Sequence, residues 1–196
     1  MDPVAVSFAF RNDVPCRSFV RELVQRGMRL NVSGPLKRSS ALGVCLQQGN
    51  FDMARVYLEL GADPNLGHPS PLELLCKNNE FDNHLIFPTR ADAEMLNSLL
   101  KAGADPFASF DGKTAMDSLT SRLVDTDRQL HNLHQQRFGE AVGGQLASND
   151  QGWLETDKND KPKVAKAALL EMQALLVRAM HDRYQRLRKA KAGSKK

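Results

Sequence analysis

Apolar residues along this chain return at steps of three and four, in short runs that end on glycine. Val20, Leu23 and Val24 precede Gly27; Val56, Leu58 and Leu60 precede Gly61; Leu96, Leu99 and Leu100 precede Gly103. A helical period with glycine just past its last turn marks an amphipathic helix closed by a left-handed residue. The pattern predicts helices over about 19–26, with Ser18 as N-cap, then 40–47, then one running to Leu60, then one opening at Ser70 and one ending at Ala102. Two longer stripes follow. Met116, Leu119, Leu123, Thr126, Leu130, Leu133 and Arg137 define a continuous helix over 113–138 that packs on the last repeat or on the tail. Ala165, Leu169, Met172, Leu176, Met180, Tyr184 and Leu187 define a C-terminal helix over 162–190, with Pro162 as its first residue.

Gly61-Ala62-Asp63-Pro64 is repeated as Gly103-Ala104-Asp105-Pro106, and a degraded copy ends at Gly27-Met28. The glycines stand 34 and then 42 residues apart, one helix-pair repeat followed by one that carries an insertion. A single helix pair cannot bury its apolar face alone, so repeats of this length stack on like neighbours. Residues 49–65 read Gly-Asn-Phe-Asp-Met-Ala-Arg-Val-Tyr-Leu-Glu-Leu-Gly-Ala-Asp-Pro-Asn, and the next helix opens Ser70-Pro71-Leu72. These residues resemble the ankyrin repeat, whose helix pair ends in Gly-Ala-Asp-x-Asn and opens on Thr-Pro-Leu-His. Ser40-Ala41-Leu42 and Thr114-Ala115-Met116 are weaker matches at the equivalent place. Coverage is about residues 18–122, roughly three units, within a degenerate array over 1–122. Gly43, Glu73 and Asp117 stand where the family has histidine, which removes its usual bracing of the turn.

The resemblance implies an all-α solenoid that binds a partner protein through its turn tips and inner helices. On this chain the tips are Leu36, Lys37 and Arg38, then Leu66 and His68, then Phe110, Asp111 and Lys113. The insertion over 81–90 adds Leu85, Phe87 and Arg90, whose apolar members either meet the partner or tuck onto the repeat core. Eroded repeats with an elaborated tail also look like those of bacterial or viral ankyrin proteins, including effectors that act in the cytosol of another cell.

Residues 139–161 carry Gly143-Gly144 and Asn149-Asp150-Gln151-Gly152 and read as a linker, with Trp153 anchoring it to the body. Residues 191–196 read as a frayed tail. Charge divides the chain. From Lys158 to Lys196 there are 12 basic residues against Asp160, Glu171 and Asp182, whereas residues 1–157 carry a net −5. The basic half of the tail helix holds Arg178, Arg183, Arg186, Arg188, Lys189 and Lys191. Its candidate targets are the acidic body of its own chain, an external protein, nucleic acid, or an anionic membrane surface.

Hydrophobic content of 41% with 26% charged residues is that of a globular protein. No apolar run is long enough to span a bilayer, and Met1–Phe10 lacks the basic start of a secretory signal, so a cytoplasmic protein is expected. Cys16, Cys45 and Cys76 are odd in number and widely spaced, which argues against a disulfide framework or zinc knuckle. Asp52, Asp63, Asp105 and Asp111 fall at turns and caps, where short acids bond backbone amides. His131 and His134 share a helical face but have no third ligand nearby. No phosphate-binding loop, nucleophile elbow or paired-histidine zinc motif occurs. The expectation is a binding module without catalysis, cofactor, metal or small-molecule substrate.

Overall fold

The computed structural model describes residues 17–32, 40–77, 88–142 and 155–193. Among them the chain is mostly α-helical: α1 (Arg17–Gln25), α2 (Ala41–Gln47), α3 (Phe51–Glu59), α4 (Pro71–Cys76), α5 (Arg90–Lys101), α6 (Ala115–Val142) and α7 (Glu155–Gly193). A two-stranded antiparallel hairpin, β1 (Ser109–Phe110) and β2 (Lys113–Thr114), precedes α6.

Local chemistry sets the helix ends. At Gly61 the backbone takes φ 89°, so its N–H meets the Leu58 carbonyl at 3.1 Å while Ala62 N–H meets that of Tyr57 at 2.9 Å. Gly103, at φ 97°, repeats both bonds with Leu100 and Leu99. This pair of bonds satisfies carbonyls that the last helical turn leaves open, and it needs a left-handed residue. Starts are capped as well. Ser40 Oγ accepts from Gly43 N–H at 3.1 Å. Ser70 and Glu73 bond reciprocally, with Ser70 N–H to Glu73 Oε2 at 2.7 Å. Thr114 and Asp117 do the same, at 2.8 Å and 3.2 Å. Glu73 and Asp117 therefore close capping boxes.

The helices pack in two rows. α2 touches α4 and α4 touches α6; α3 touches α5 and α5 touches α7. Cross-row contacts join α2 to α3, α4 to α5, and α6 to α7. One buried cluster runs through both rows and includes Leu42, Met53, Tyr57, Leu72, Met95, Leu99, Leu119, Leu169 and Leu176. Cys45 and Cys76 are buried in it as free thiols. Cys16 lies outside the described residues.

α7 packs against both α5 and α6. Its register against α6 is antiparallel: Gln173 Nε2 donates to Thr120 Oγ1 at 3.2 Å, and Lys166 Nζ bridges Asp127 at 2.6 Å. Ala165, Leu169, Met172 and Leu176 are fully buried there. Tyr184 and Leu187, from the same stripe, are 60% and 54% exposed. The helix outruns α5, which ends at Lys101, so its last turns have nothing left to cover.

Several expected boundaries move. The C-terminal helix begins at Glu155, seven residues before Pro162, so 155–161 belong to it and not to a linker. A proline disfavours helix ahead of it without barring it, and α7 carries the missing N–H as an internal gap. α6 starts at Ala115 because Lys113 and Thr114 are taken by the hairpin, and it runs on to Val142. The hairpin turn is Asp111-Gly112, with φ 52° and 75°, the positive pair that a tight two-residue turn requires. α1 starts at Arg17, which puts Ser18 inside the helix and not at its cap. Trp153 lies outside the described residues.

Candidate recognition surface

Each repeated turn is pinned by an asparagine from the turn before it. Asn31 Oδ1 accepts from Asp63 N–H at 2.8 Å, and Asn31 Nδ2 donates to the Gly61 carbonyl at 3.3 Å. Asn65 makes the same two bonds one unit on, to Asp105 N–H at 2.7 Å and to the Gly103 carbonyl at 3.0 Å. Within each turn the aspartate side chain closes a local ring: Asp63 Oδ1 accepts from Asn65 N–H and Asp105 Oδ1 from Phe107 N–H, both at 2.9 Å. The successive turns are thereby fixed along one edge of the molecule. Sequence reasoning missed these two asparagines as braces, although both stand four residues beyond a helix-ending glycine.

The tip residues on that edge are brought together in part. The His68 and Phe110 rings approach to 6.1 Å between centroids, tilted by 36°. Leu66 is half-buried beside them in sequence, and Asp111 and Lys113 are exposed on the same hairpin as Phe110. Phe110 and Lys113 are paired residues of that hairpin. Arg90 is elsewhere: it opens α5, a 12-residue helix whose other end leads into the 103–106 turn, and it pairs with Glu94 at 3.1 Å. Leu36, Lys37, Arg38, Leu85 and Phe87 lie outside the described residues.

The basic tail divides at the edge of the body. Arg183 bridges Asp105 at 2.6 Å, so the aspartate that closes the third turn also tethers α7. Arg178, Arg183 and Arg186 line a cleft of ≈ 770 Å³ between α7, the end of α5 and the 103–106 turn. Lys101 and Asn97 line it from α5, two residues that sequence reasoning treated only as part of a helix. Arg188, Lys189 and Lys191 are exposed further along the helix.

Elsewhere the polar groups serve the fold. Arg122, reaching from α6, donates to the carbonyls of Leu75 at 3.4 Å and Cys76 at 3.3 Å, closing the end of α4. Burial lowers its guanidinium pKa, opposed by the charge of Asp92. Burial also pushes the Cys76 thiol up to about 12, which leaves it protonated and unreactive near neutral pH. Asp117 lies below the usual carboxylate value because Thr114 donates to it twice, first from the backbone and then from the hydroxyl. His131 and His181 each meet a glutamine one turn on, at 2.9 Å and 3.4 Å. No group of three or more histidine, cysteine or acidic residues is placed to hold a metal among the described residues. No helix among them is long and apolar enough to cross a membrane.

No protein-family model and no curated protein matches the chain.

Proposed function

We propose that this chain is an ankyrin-like stack of helix pairs whose function is to recognise a partner protein without catalysis. The observation that carries the reading is the repeated asparagine bracing, Asn31 to the 61–63 turn and Asn65 to the 103–105 turn. Bracing of this kind holds successive turns in fixed relation, which is what a recognition edge needs. The two helix rows support the same reading, with α2, α4 and α6 as first members and α3, α5 and α7 as second members. On this reading α6 and α7 form an overlong last pair that closes the stack, as terminal repeats of a solenoid must.

The partner meets Leu66, His68, Phe110, Asp111 and Lys113, and contacts from the 81–90 insertion add to them. The aromatic pair supplies the anchor, and the flanking charges supply specificity. A cytoplasmic setting fits the two free, buried thiols. Affinity capture with the intact chain, with a His68→Ala/Phe110→Ala variant and with a variant lacking residues 81–90 tests the proposal. A protein recovered by the intact chain and lost with the tip variant supports it. Equal recovery by all three removes the tips from recognition.

A further inference from the structure

The cleft between α5, α7 and the 103–106 turn is lined by none of the tip residues to which the recognition reading above assigns the partner. We propose that it is a separate binding site and that its occupant is an acidic peptide segment carrying an apolar side chain. Three observations converge on that chemistry. Lys101, Arg178 and Arg186 line the cleft, and among the described residues no carboxylate lies within salt-bridge range of any of them. Arg183 is already committed to Asp105, and Asp182 offsets only one of the remaining cations. The floor is apolar, built from Leu100, Ala104, Pro106, Leu175 and Ala179.

Cations above an apolar floor bind carboxylates better than cations on an open face do. The apolar floor lowers the local dielectric, and each guanidinium offers a planar fork that matches a carboxylate. The floor itself takes the apolar side chain. Asn97, on the α5 wall, has both a donor and an acceptor for a peptide backbone. Nucleic acid fits less well. Single strands rely on aromatic stacking, and Tyr184, the sole aromatic of α7, does not line the cleft. A bilayer fits less well too, because the apolar lining residues are buried or half-buried and not presented outward.

The test is fluorescence anisotropy of the full-length chain with a labelled peptide of Glu-Glu-Leu repeats. A Gln-Gln-Leu peptide and an oligothymidylate of equal length run beside it. The Glu-Glu-Leu peptide binds saturably and more tightly than either comparison probe. Arg178→Glu with Arg186→Glu weakens it by roughly tenfold or more. Arg21→Glu with Lys163→Glu, the same change in net charge at exposed positions outside the cleft, weakens it less than about threefold. The pair Arg178→Gln and Arg186→Gln gives the same ordering if the charge reversals lower helix content. Failure of saturable binding, equal or tighter binding of the oligothymidylate, or equal losses in the two charge-reversed pairs overturns the proposal. The cleft substitutions leave the tip residues intact and the tip substitutions leave the cleft lining intact, so either idea can fail without the other.

Discussion

Replacing Asn65 with alanine removes two bonds at once, one from Asp105 N–H at 2.7 Å and one to the Gly103 carbonyl at 3.0 Å. A typical intramolecular hydrogen bond contributes about 0.5–1.5 kcal/mol net. Both of these are exposed, so water replaces part of what is lost, and the low half of that range applies to each. The expected destabilisation of Asn65→Ala is about 1–2 kcal/mol, a fall of roughly 2–8 °C in Tm for a chain of this size. Asn65→Asp is more informative. It keeps an acceptor for Asp105 N–H but loses the donor to Gly103 and sets a second carboxylate beside that of Asp105. It should therefore destabilise at least as much as alanine, although it is the closer mimic in shape. Urea unfolding followed by circular dichroism, with m held constant across the series, measures both. If Asn65→Ala lies within about 0.3 kcal/mol of wild type, or Asn65→Asp is the milder change, the bracing does not carry the turn.

Three further outcomes are expected. Met172→Ala empties a fully buried position under α7 and should cost about 2–5 kcal/mol, whereas Leu187→Ala, on the exposed end of the same stripe, should stay within about 0.5 kcal/mol; thermal melts of the two separate them. Asp117 is held below its ordinary value of 3.8 by Thr114, so its stabilisation is present above that pH and lost as pH falls through the lowered folded value. The stability gap between wild type and Asp117→Asn, followed by urea titration across acid pH, should close on that side and stay open at neutrality. Iodoacetamide at about pH 8 should leave Cys45 and Cys76 unmodified in the native protein and label both in urea, as read by peptide mass mapping; native labelling of Cys76 contradicts its burial.

Helix ends were the most legible part of this sequence, because a glycine after an amphipathic run has one physical use. Gly27, Gly61 and Gly103 all adopt positive φ, as the pattern implies. The hairpin at Ser109–Thr114 was less visible. Asp111-Gly112 is a tight-turn signal, but the flanking segments of two residues each are too short to show strand periodicity. The stripe on α7 was readable as apolar, yet its period says nothing of what covers it. That Leu169 and Met172 are buried while Tyr184 and Leu187 face solvent follows from where α5 stops, a tertiary fact. Likewise the charges of the tail were countable, but the division of labour among them was not. Arg183 reaches Asp105 across the fold, and Arg178 and Arg186 line one cleft with Lys101, a residue about eighty positions away in the chain. Asn31 and Asn65 had a signal in their common spacing from a glycine, and it lay in residues that turn chemistry alone already explains.

Site-specific photo-crosslinking tests the claim of tip recognition most directly. A benzophenone amino acid placed at Phe110, on the hairpin beside His68, is compared in cells with the same group at Val124, which is exposed on α6 away from the tips. The account predicts a discrete covalent adduct with one protein from position 110 and none of that mass from position 124. An adduct that forms from position 124 alone, or equally from both, contradicts it.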